Sequence, residues 1–408
     1  MIPPATLPEI DPAAIAPAMD GILRDHAGVP GRRDAFLPSP AVQNHAANLA
    51  FLADGTLTCV WFGGTMEGMG DISVHLSRLA PGADRWSAPE KLSDDPARSE
   101  QNPLVFTAPD GRVFLLFTSQ VAGDQDGAVV KRRISTDGGR SFGPVEPLCE
   151  VPGTFVRQPI VVNGAGNWLL PAFRCVGRPG LRWSGDVDTA AVLVSTDAGR
   201  SWTMRDVPDS IGAVHMNILP LGHGRMVALY RDRFAERVRV SRSEDDGLTW
   251  SAPEPTDLPN NNSSIQAARL ADGTIAVVCN PVDATASTDR RLSLYDEIDA
   301  GTAAPVAAAA AAPAAARAAV WGVPRAPLSL ALSADGRHFV RVLDFERGPG
   351  TCLSNNSEEL RNREFSYPSL AEGPDGALHV AYTVYRRAIR HVVLAPGWRD
   401  RLGIGAIA

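Results

Sequence analysis

Apolar and polar positions along this 408-residue chain fall into short runs broken by glycine turns, a pattern of β-hairpins. Six times an apolar run meets a Gly-containing turn and a second apolar run follows. The turns are Asp54-Gly55, Asp110-Gly111, Gly164-Ala-Gly166, Gly222-His-Gly224, Asp272-Gly273 and Asp375-Gly376. Short β-runs flanking Asp-Gly predict tight hairpins. A second repeat, Ser-x-Asp-x-Gly-x-x-Trp/Phe, runs out of phase with the first. It reads Ser135-Thr-Asp137-Gly-Gly139-Arg-Ser-Phe142, Ser195-Thr-Asp197-Ala-Gly199-Arg-Ser-Trp202 and Ser243-Glu-Asp245-Asp-Gly247-Leu-Thr-Trp250. Degenerate copies run from Ser333 through Asp335 and Gly336 to Phe339, and from Ser77 through Gly82 to Trp86. The box suits a tight turn: Asp accepts backbone N–H bonds, Gly supplies a positive φ, and the aromatic ring packs beneath.

Hairpin plus boxed hairpin makes a four-stranded unit of about 50 residues, and six such units predict an all-β six-bladed β-propeller of four-stranded antiparallel blades. The sixth unit lacks a box and ends near residue 394, so its fourth strand must come from elsewhere. An N-terminal arm, residues 1–35, is the expected donor, closing the ring and hiding a strand edge. The propeller then spans residues 36–398, with a tail at 399–408. The fifth unit is too long, and its surplus holds the alanine-rich run from Ala303 to Arg317. Two prolines interrupt that run and it has no apolar face, so residues 283–326 read as an insertion with a flexible or weakly helical middle.

Composition narrows the function. The formal net charge is −7, and of 39 basic residues only Lys91 and Lys131 are lysines. A lysine Schiff base or a phosphate-binding Gly-Lys loop is thereby nearly excluded, and no basic block suggests nucleic acid. No apolar stretch reaches the roughly 18 residues of a membrane helix, and the N-terminus has no secretory pattern. The five cysteines are scattered with no Cys-x-x-Cys pair. The expectation is a cytoplasmic protein without disulfides, metal or cofactor.

Hairpin topology separates scaffold from site. The start of each first strand and the end of each second strand lie on one face, and the boxes lie on the other. Residues opening the first strands are Asn48, Asn102, Gln158, Asn217, Gln266 and Tyr367, with His45, Glu100, Arg157, His215, Asn262 and Ser366 close behind. Second strands end at residues 63–71, Gln120, Arg174, Arg231 to Arg233, Asn280 and Tyr385 to Arg387. Ionisable and amide groups therefore converge on one face. Polar closure of a central channel is the plain structural alternative.

The boxes, together with Trp61-Phe-Gly-Gly-Thr-Met-Glu-Gly-Met-Gly-Asp-Ile, Asn102-Pro-Leu-Val-Phe, Arg157-Gln-Pro-Ile, Pro259-Asn-Asn-Asn-Ser-Ser and Phe365-Ser-Tyr-Pro-Ser-Leu, resemble the sialidase (neuraminidase) superfamily of BNR or Asp-box proteins, in its bacterial sialidase-like branch. The resemblance covers roughly residues 36–394. It implies a glycosidase that removes a terminal sialic acid with retention, through a Tyr nucleophile helped by a Glu, an Asp acid/base and three Arg that clasp the substrate carboxylate. Residue by residue, Tyr367 matches the nucleophile, and Asp71, with Glu67 as rival, lies on the loop of the acid/base. Arg157, Arg231 and Arg386 match clasp positions by blade. His45, Asn48, His215, Gln158 and Asn217 complete the expected substrate-binding set. The family opens blade one with Arg-Ile-Pro, where this chain has Phe36-Leu-Pro and then Asn44-His45-Ala-Ala-Asn48, so the first clasp Arg is not evident. Glu364 is near Tyr367 in sequence and is the one available guess for its helper.

A neutral Tyr avoids the repulsion that an Asp or Glu nucleophile would meet at a carboxylated anomeric centre, and such enzymes depart from the usual two-carboxylate scheme. The expected function is an exo-α-sialidase-like hydrolase acting on a glycan or oligosaccharide that ends in sialic acid or a related carboxylated sugar. Two alternatives stand beside it. One is a propeller lyase acting on a uronic-acid glycan by β-elimination, with Arg neutralising the carboxylate and Tyr or His moving protons. The other is a non-catalytic glycan-binding propeller. Neither the sugar and linkage nor the oligomeric state is written in the sequence.

Overall fold

The computed structural model describes residues 9–177, 183–291, 296–299, 317–405 and 407. Six antiparallel sheets surround a central axis as a six-bladed β-propeller. Blade one comprises Gln43–Phe51, Leu57–Gly64, Ser73–Leu79 and Glu90–Lys91, and blade two Arg98–Thr107, Val113–Val121, Val129–Ser135 and Glu146–Cys149. In blade three the innermost strand is broken at Gln158-Pro159 into Thr154–Val156 and Val161–Val162, both paired to Trp168–Arg174. Proline has no N–H for the ladder, which explains the gap. Thr189–Ser195 and Thr203–Asp206 complete that blade.

Blade four has four strands, from Ala213–Gly222 to Glu254–Pro259. Blade five pairs Gln266–Arg269 and Ile275–Cys279 with Leu328–Ser333 and Val340–Glu346. Blade six takes Phe365–Glu372, Leu378–Val384 and Ala388–Leu394, and Arg32–Phe36 pairs with residues 390–394 of the last strand. Arm and last blade are thus one sheet. Ahead of them the short helix Pro12–Ala18, capped by Asp11, sends Ile15 into the core shared by blades five and six. Past residue 398, Leu402 enters that same core.

The boxes form one repeated turn. In each, the Asp accepts its Ser hydroxyl and the backbone N–H four residues on, and the Ser hydroxyl accepts the Gly N–H at 2.8–2.9 Å. Gly247 shows why the Gly is required. Its φ is +84°, and an added Cβ would lie 2.4 Å from Leu169 of the preceding blade.

The arginine excess has a structural use on this face. Arg78 of blade one donates to the Gly139 carbonyl in the box of blade two, at 2.7 Å. Arg132 does the same to Gly199, Arg205 to Leu248 and Arg242 to Asp335, each one blade onward. The planar guanidinium spans a seam that lysine would meet as a point charge.

The extra length of blade five lies between its second and third strands, on the face opposite the boxes. The alanine-rich run from Ala303 to Ala316 lies outside the described residues. The insertion expected over residues 283–326 is packed at its C-terminal margin. Trp321, Val323 and Arg325 are buried. Asn262 and Asn261 donate to the Val320 and Pro324 carbonyls, and Arg325 N–H donates to Gly350. Residues 320–326 are part of the folded body.

Candidate functional site

Four innermost strands carry the same irregularity. Two residues oppose one between His45 and Asn48, Gln101 and Leu104, Val214 and Asn217, and Ser366 and Ser369. At these bulges Ala46, Asn102, His215 and Tyr367 adopt left-handed φ of 50–60°. Each such non-glycine residue costs on the order of 1–3 kcal/mol, so the surroundings must hold it there. A bulge also re-aims its side chains. Here the bulges bring Ala46 and His215 against Tyr367.

Arg231 Nη1 donates to the Tyr367 hydroxyl at 2.8 Å, and Asn262 fixes Arg231 through Nε, also at 2.8 Å. The His45 ring lies 4.2 Å from the Tyr367 ring, centre to centre. His215 stands edge-on to it at 5.7 Å. The guanidinium carbons of Arg157, Arg231 and Arg325 all lie within 6 Å of the phenol ring centre, at 5.5, 5.8 and 5.7 Å. Tyr367 is 7% exposed, and Arg157 and Arg231 are 1% exposed.

Arg157, expected from sequence as a clasp member, also has a structural part. Its Nη2 donates to three carbonyls, those of Ala47 at 2.9 Å, Tyr367 at 3.2 Å and Pro368 at 3.1 Å. It is a strut from blade three to the bulges of blades one and six. Arg386 has a structural part as well. It is enclosed between Glu67, with which it forms an ion pair, and Glu364, whose Oε1 it reaches at 3.1 Å. Glu67 is therefore paired, and its own N–H donates to Gln43.

Glu364 does not touch the Tyr367 hydroxyl. Its carboxylate accepts from Arg325, Arg386 and the Ser366 hydroxyl. Burial disfavours its charge, but the Arg325 and Arg386 guanidiniums outweigh that and hold it down at about 2. Asp71 sits apart from this cluster, exposed, accepting from Thr65 N–H at 2.8 Å and the Thr65 hydroxyl at 3.0 Å. Its observed part is to shape the blade-one loop.

The amides occupy the channel beneath. Gln158 donates to the Ile265 carbonyl and accepts from Gln266, while Asn217 braces the bulge at His215. Asn48 is buried with neither amide atom bonded to protein. A surface cleft of about 560 Å³ between blades one and two is lined by Lys91, Asp94, Asp95, Glu100, Lys131 and Arg133 and holds none of the predicted catalytic or substrate-binding residues. Among the described residues no group of three or more His, Cys, Asp or Glu is placed to hold a metal.

The charges do not balance. Arg325 and Arg386 have Glu364 and Glu67, and Arg233 has Asp188 at 2.7 Å. Arg157 and Arg231 have no carboxylate partner among the described residues, and burial pulls each down to about 10. Burial, then the surrounding arginines, pushes His45 and His215 well below the usual histidine range, so both rings are neutral at pH 7. A buried pair of guanidiniums without counter-charge is costly, and an anion docking there would relieve it.

Arg325 escaped sequence reasoning because residues 283–326 were set aside as an insertion. The signal was present. Second strands end on the site face, so third strands begin there, and Arg325 stands just before Leu328-Ser-Leu-Ala-Leu-Ser333. Trp321 was missed for the same reason. It covers Arg231 and Arg233, at 5.8 and 5.1 Å, and ties to blade three through its Nε1–H on the Ser184 carbonyl.

Fold and site together define a six-bladed propeller with an arginine-ringed tyrosine at one end of its axis. The model of the BNR repeat-like domain matches residues 55–380, and the chain belongs to that family. Among solved structures it is similar to a Hadza microbial sialidase, at 11% identity and TM-score 0.60 over 87% of this chain and 66% of that one. The chain thus spans about two thirds of that enzyme's length. It is similar also to a Dyadobacter fermentans protein of unknown function, at 15% identity and TM-score 0.63 over 90% and 100% of the two chains. The intramolecular trans-sialidase of Ruminococcus gnavus, solved with oseltamivir carboxylate, aligns at 12% identity and TM-score 0.60 over 95% and 99%. At these identities the likeness establishes a sialidase-like fold. No curated protein sequence matches the chain.

Proposed function

We propose that this protein is a retaining exo-glycoside hydrolase that removes a terminal carboxylated sugar, sialic acid or a relative, with Tyr367 as nucleophile. The observation that carries the reading is the Arg231 guanidinium on the Tyr367 oxygen, in a buried site with two uncompensated positive charges. The substrate carboxylate supplies the missing counter-charge, through the two-pronged donor geometry of arginine. Arg231 then stands beside the Tyr367 oxygen and favours its deprotonated, nucleophilic form, with Asp71 on the blade-one loop as proton donor to the departing sugar oxygen. Membership of the BNR repeat-like family and the sialidase-like fold support the reading. Five buried, unpaired cysteines are in keeping with a reducing, cytoplasmic setting.

Elimination is the second reading, and one observation favours it. The Tyr367 hydroxyl has no carboxylate partner among the described residues, while two neutral imidazoles flank its ring. Tyrosine with neutral histidine is also a proton-moving set for a uronate. The test is to supply glycans ending in sialic or uronic acids and identify the product by NMR. A saturated free acidic sugar released first as the retained anomer is expected. An ultraviolet-absorbing unsaturated sugar would make the protein a lyase, and binding without turnover would leave a glycan-binding propeller.

A further inference from the structure

A tyrosine nucleophile must lose its proton as it attacks, and no carboxylate among the described residues is placed to take it. Glu364 and Glu67 are committed to arginines, and among the described residues the one partner of the Tyr367 hydroxyl is Arg231, a donor. What stands there instead is His215. Its edge-on ring is 5.7 Å from the Tyr367 ring, and it occupies a left-handed bulge like that of Tyr367 itself. Its Nδ1 is 2.9 Å from the Ser264 hydroxyl. We infer that His215, oriented by Ser264, accepts the Tyr367 proton when the phenol oxygen attacks. The inference rests on Tyr367 being the nucleophile.

The arrangement follows the general logic of an activated nucleophile: nucleophile, base, and a third group that orients the base. Ser264 Oγ also reaches the Ile265 carbonyl, at 3.5 Å. With the serine proton directed there, its lone pair accepts Nδ1–H of His215, leaving the Nε2 lone pair free. The groups facing His215 are Phe173 of blade three at 4.8 Å, Arg231 and Arg233 of the neighbouring strand, Arg157, Arg325 and Tyr367. Burial, and after it the four guanidiniums, keep the imidazole neutral, with a lone pair to accept a proton.

In the first step the bond from Tyr367 oxygen to the anomeric carbon forms and the bond to the departing oxygen breaks. The phenol proton moves to His215 Nε2, and the departing oxygen takes a proton from the acid on the blade-one loop. In the second step that group, now a base, deprotonates a water. The water oxygen bonds to the anomeric carbon, the tyrosyl bond breaks, and His215 returns its proton to the phenolate. Atoms and charge balance over the cycle. His45 is placed differently. Its Nδ1 bonds the Thr383 hydroxyl and its ring lies over the Tyr367 ring, which suits packing.

Two measurements on the full chain test this. The first is the pH dependence of turnover on an activated aryl glycoside of the acidic sugar, for wild type, His215→Asn and His45→Asn. Wild type should lose kcat on acidification along a limb of slope one. His215→Asn should lose about 10²–10³-fold in kcat with KM within about threefold, and should lose that limb. His45→Asn should keep the limb whatever its rate. A His215→Asn enzyme that retains both the limb and most of its kcat would overturn the inference. The second is the imidazole nitrogen NMR spectrum at neutral pH, assigned with the same variants. The neutral Nδ1–H tautomer is expected for His215, and an Nε2–H tautomer would overturn the inference even in a fully active enzyme. If wild type turns over no acidic glycoside while His215 is Nδ1–H, the functional reading fails first and takes the inference with it.

Discussion

At one end of the propeller, Asp197 finds its partners within four residues of itself, in Ser195, Arg200 and Ser201. At the other end, Arg157 reaches carbonyls 110 to 211 residues away, in blades one and six. The box turns are exposed, self-contained and repeated. The site is buried, assembled once from all round the ring, and left with charge uncompensated. The first solution gives a scaffold its regularity, since each turn closes without help and then receives an arginine from the blade before. The second gives a buried cluster in which Arg157 and Arg231 have no carboxylate partner among the described residues.

If that contrast holds, substitutions at the two ends should separate activity from stability. Tyr367→Phe removes one oxygen and keeps the ring, so turnover should fall by about three orders of magnitude or more while the unfolding midpoint stays close to wild type. Near-normal turnover would remove Tyr367 as nucleophile. Arg386→Met should act on both properties. It leaves Glu67 without its partner and Glu364 with Arg325 alone, at a cost of about 3–5 kcal/mol measured by denaturant unfolding. A loss below about 1 kcal/mol would mean that the pairs are open to water.

Acidification should unfold the protein in two stages. His75 and His379 are pushed down to about 4 mainly by burial, and His391, bonded to His379 and Trp86, lies well below its usual range. Each binds a proton more readily unfolded than folded. Stability should therefore decline as pH falls below about 6.5 and level off near 4. Glu364, held at about 2, adds a second loss as pH falls from 4.5 towards 2. Replacing His391 with Gln should flatten the first stage only. The smallest effect is expected at the box end. Asp197→Ala should lower the melting temperature by a few degrees and leave the kcat of the folded fraction unchanged. A kcat defect at unchanged melting temperature would invert the assignment of the two faces.

The same contrast explains what could be read from the sequence. The boxes and Asp-Gly turns are local, so their spacing shows six blades, and the missing box of the last blade points to the N-terminal strand Arg32–Phe36. Topology alone places Tyr367, Arg231, His45 and His215 on one face. Their pairing is another matter. Nothing local distinguishes Arg231, which meets the Tyr367 hydroxyl, from Arg157, which supports its backbone, or Arg386, which is taken up by two carboxylates. Those differences arise from groups brought together by ring closure. Arg325 was obscured differently, by an atypical stretch of composition just ahead of it.

The central claim is that Tyr367 reacts with an acidic sugar held by uncompensated arginines. Its most direct test is to incubate the protein with a fluorinated, activated glycoside of the acidic sugar and locate the adduct by peptide mass spectrometry. A single sugar on the peptide containing Tyr367, lost in Tyr367→Phe and blocked by excess free acidic sugar, is the predicted result. An adduct on another residue, or none from a protein that turns the same glycoside over, would contradict the account.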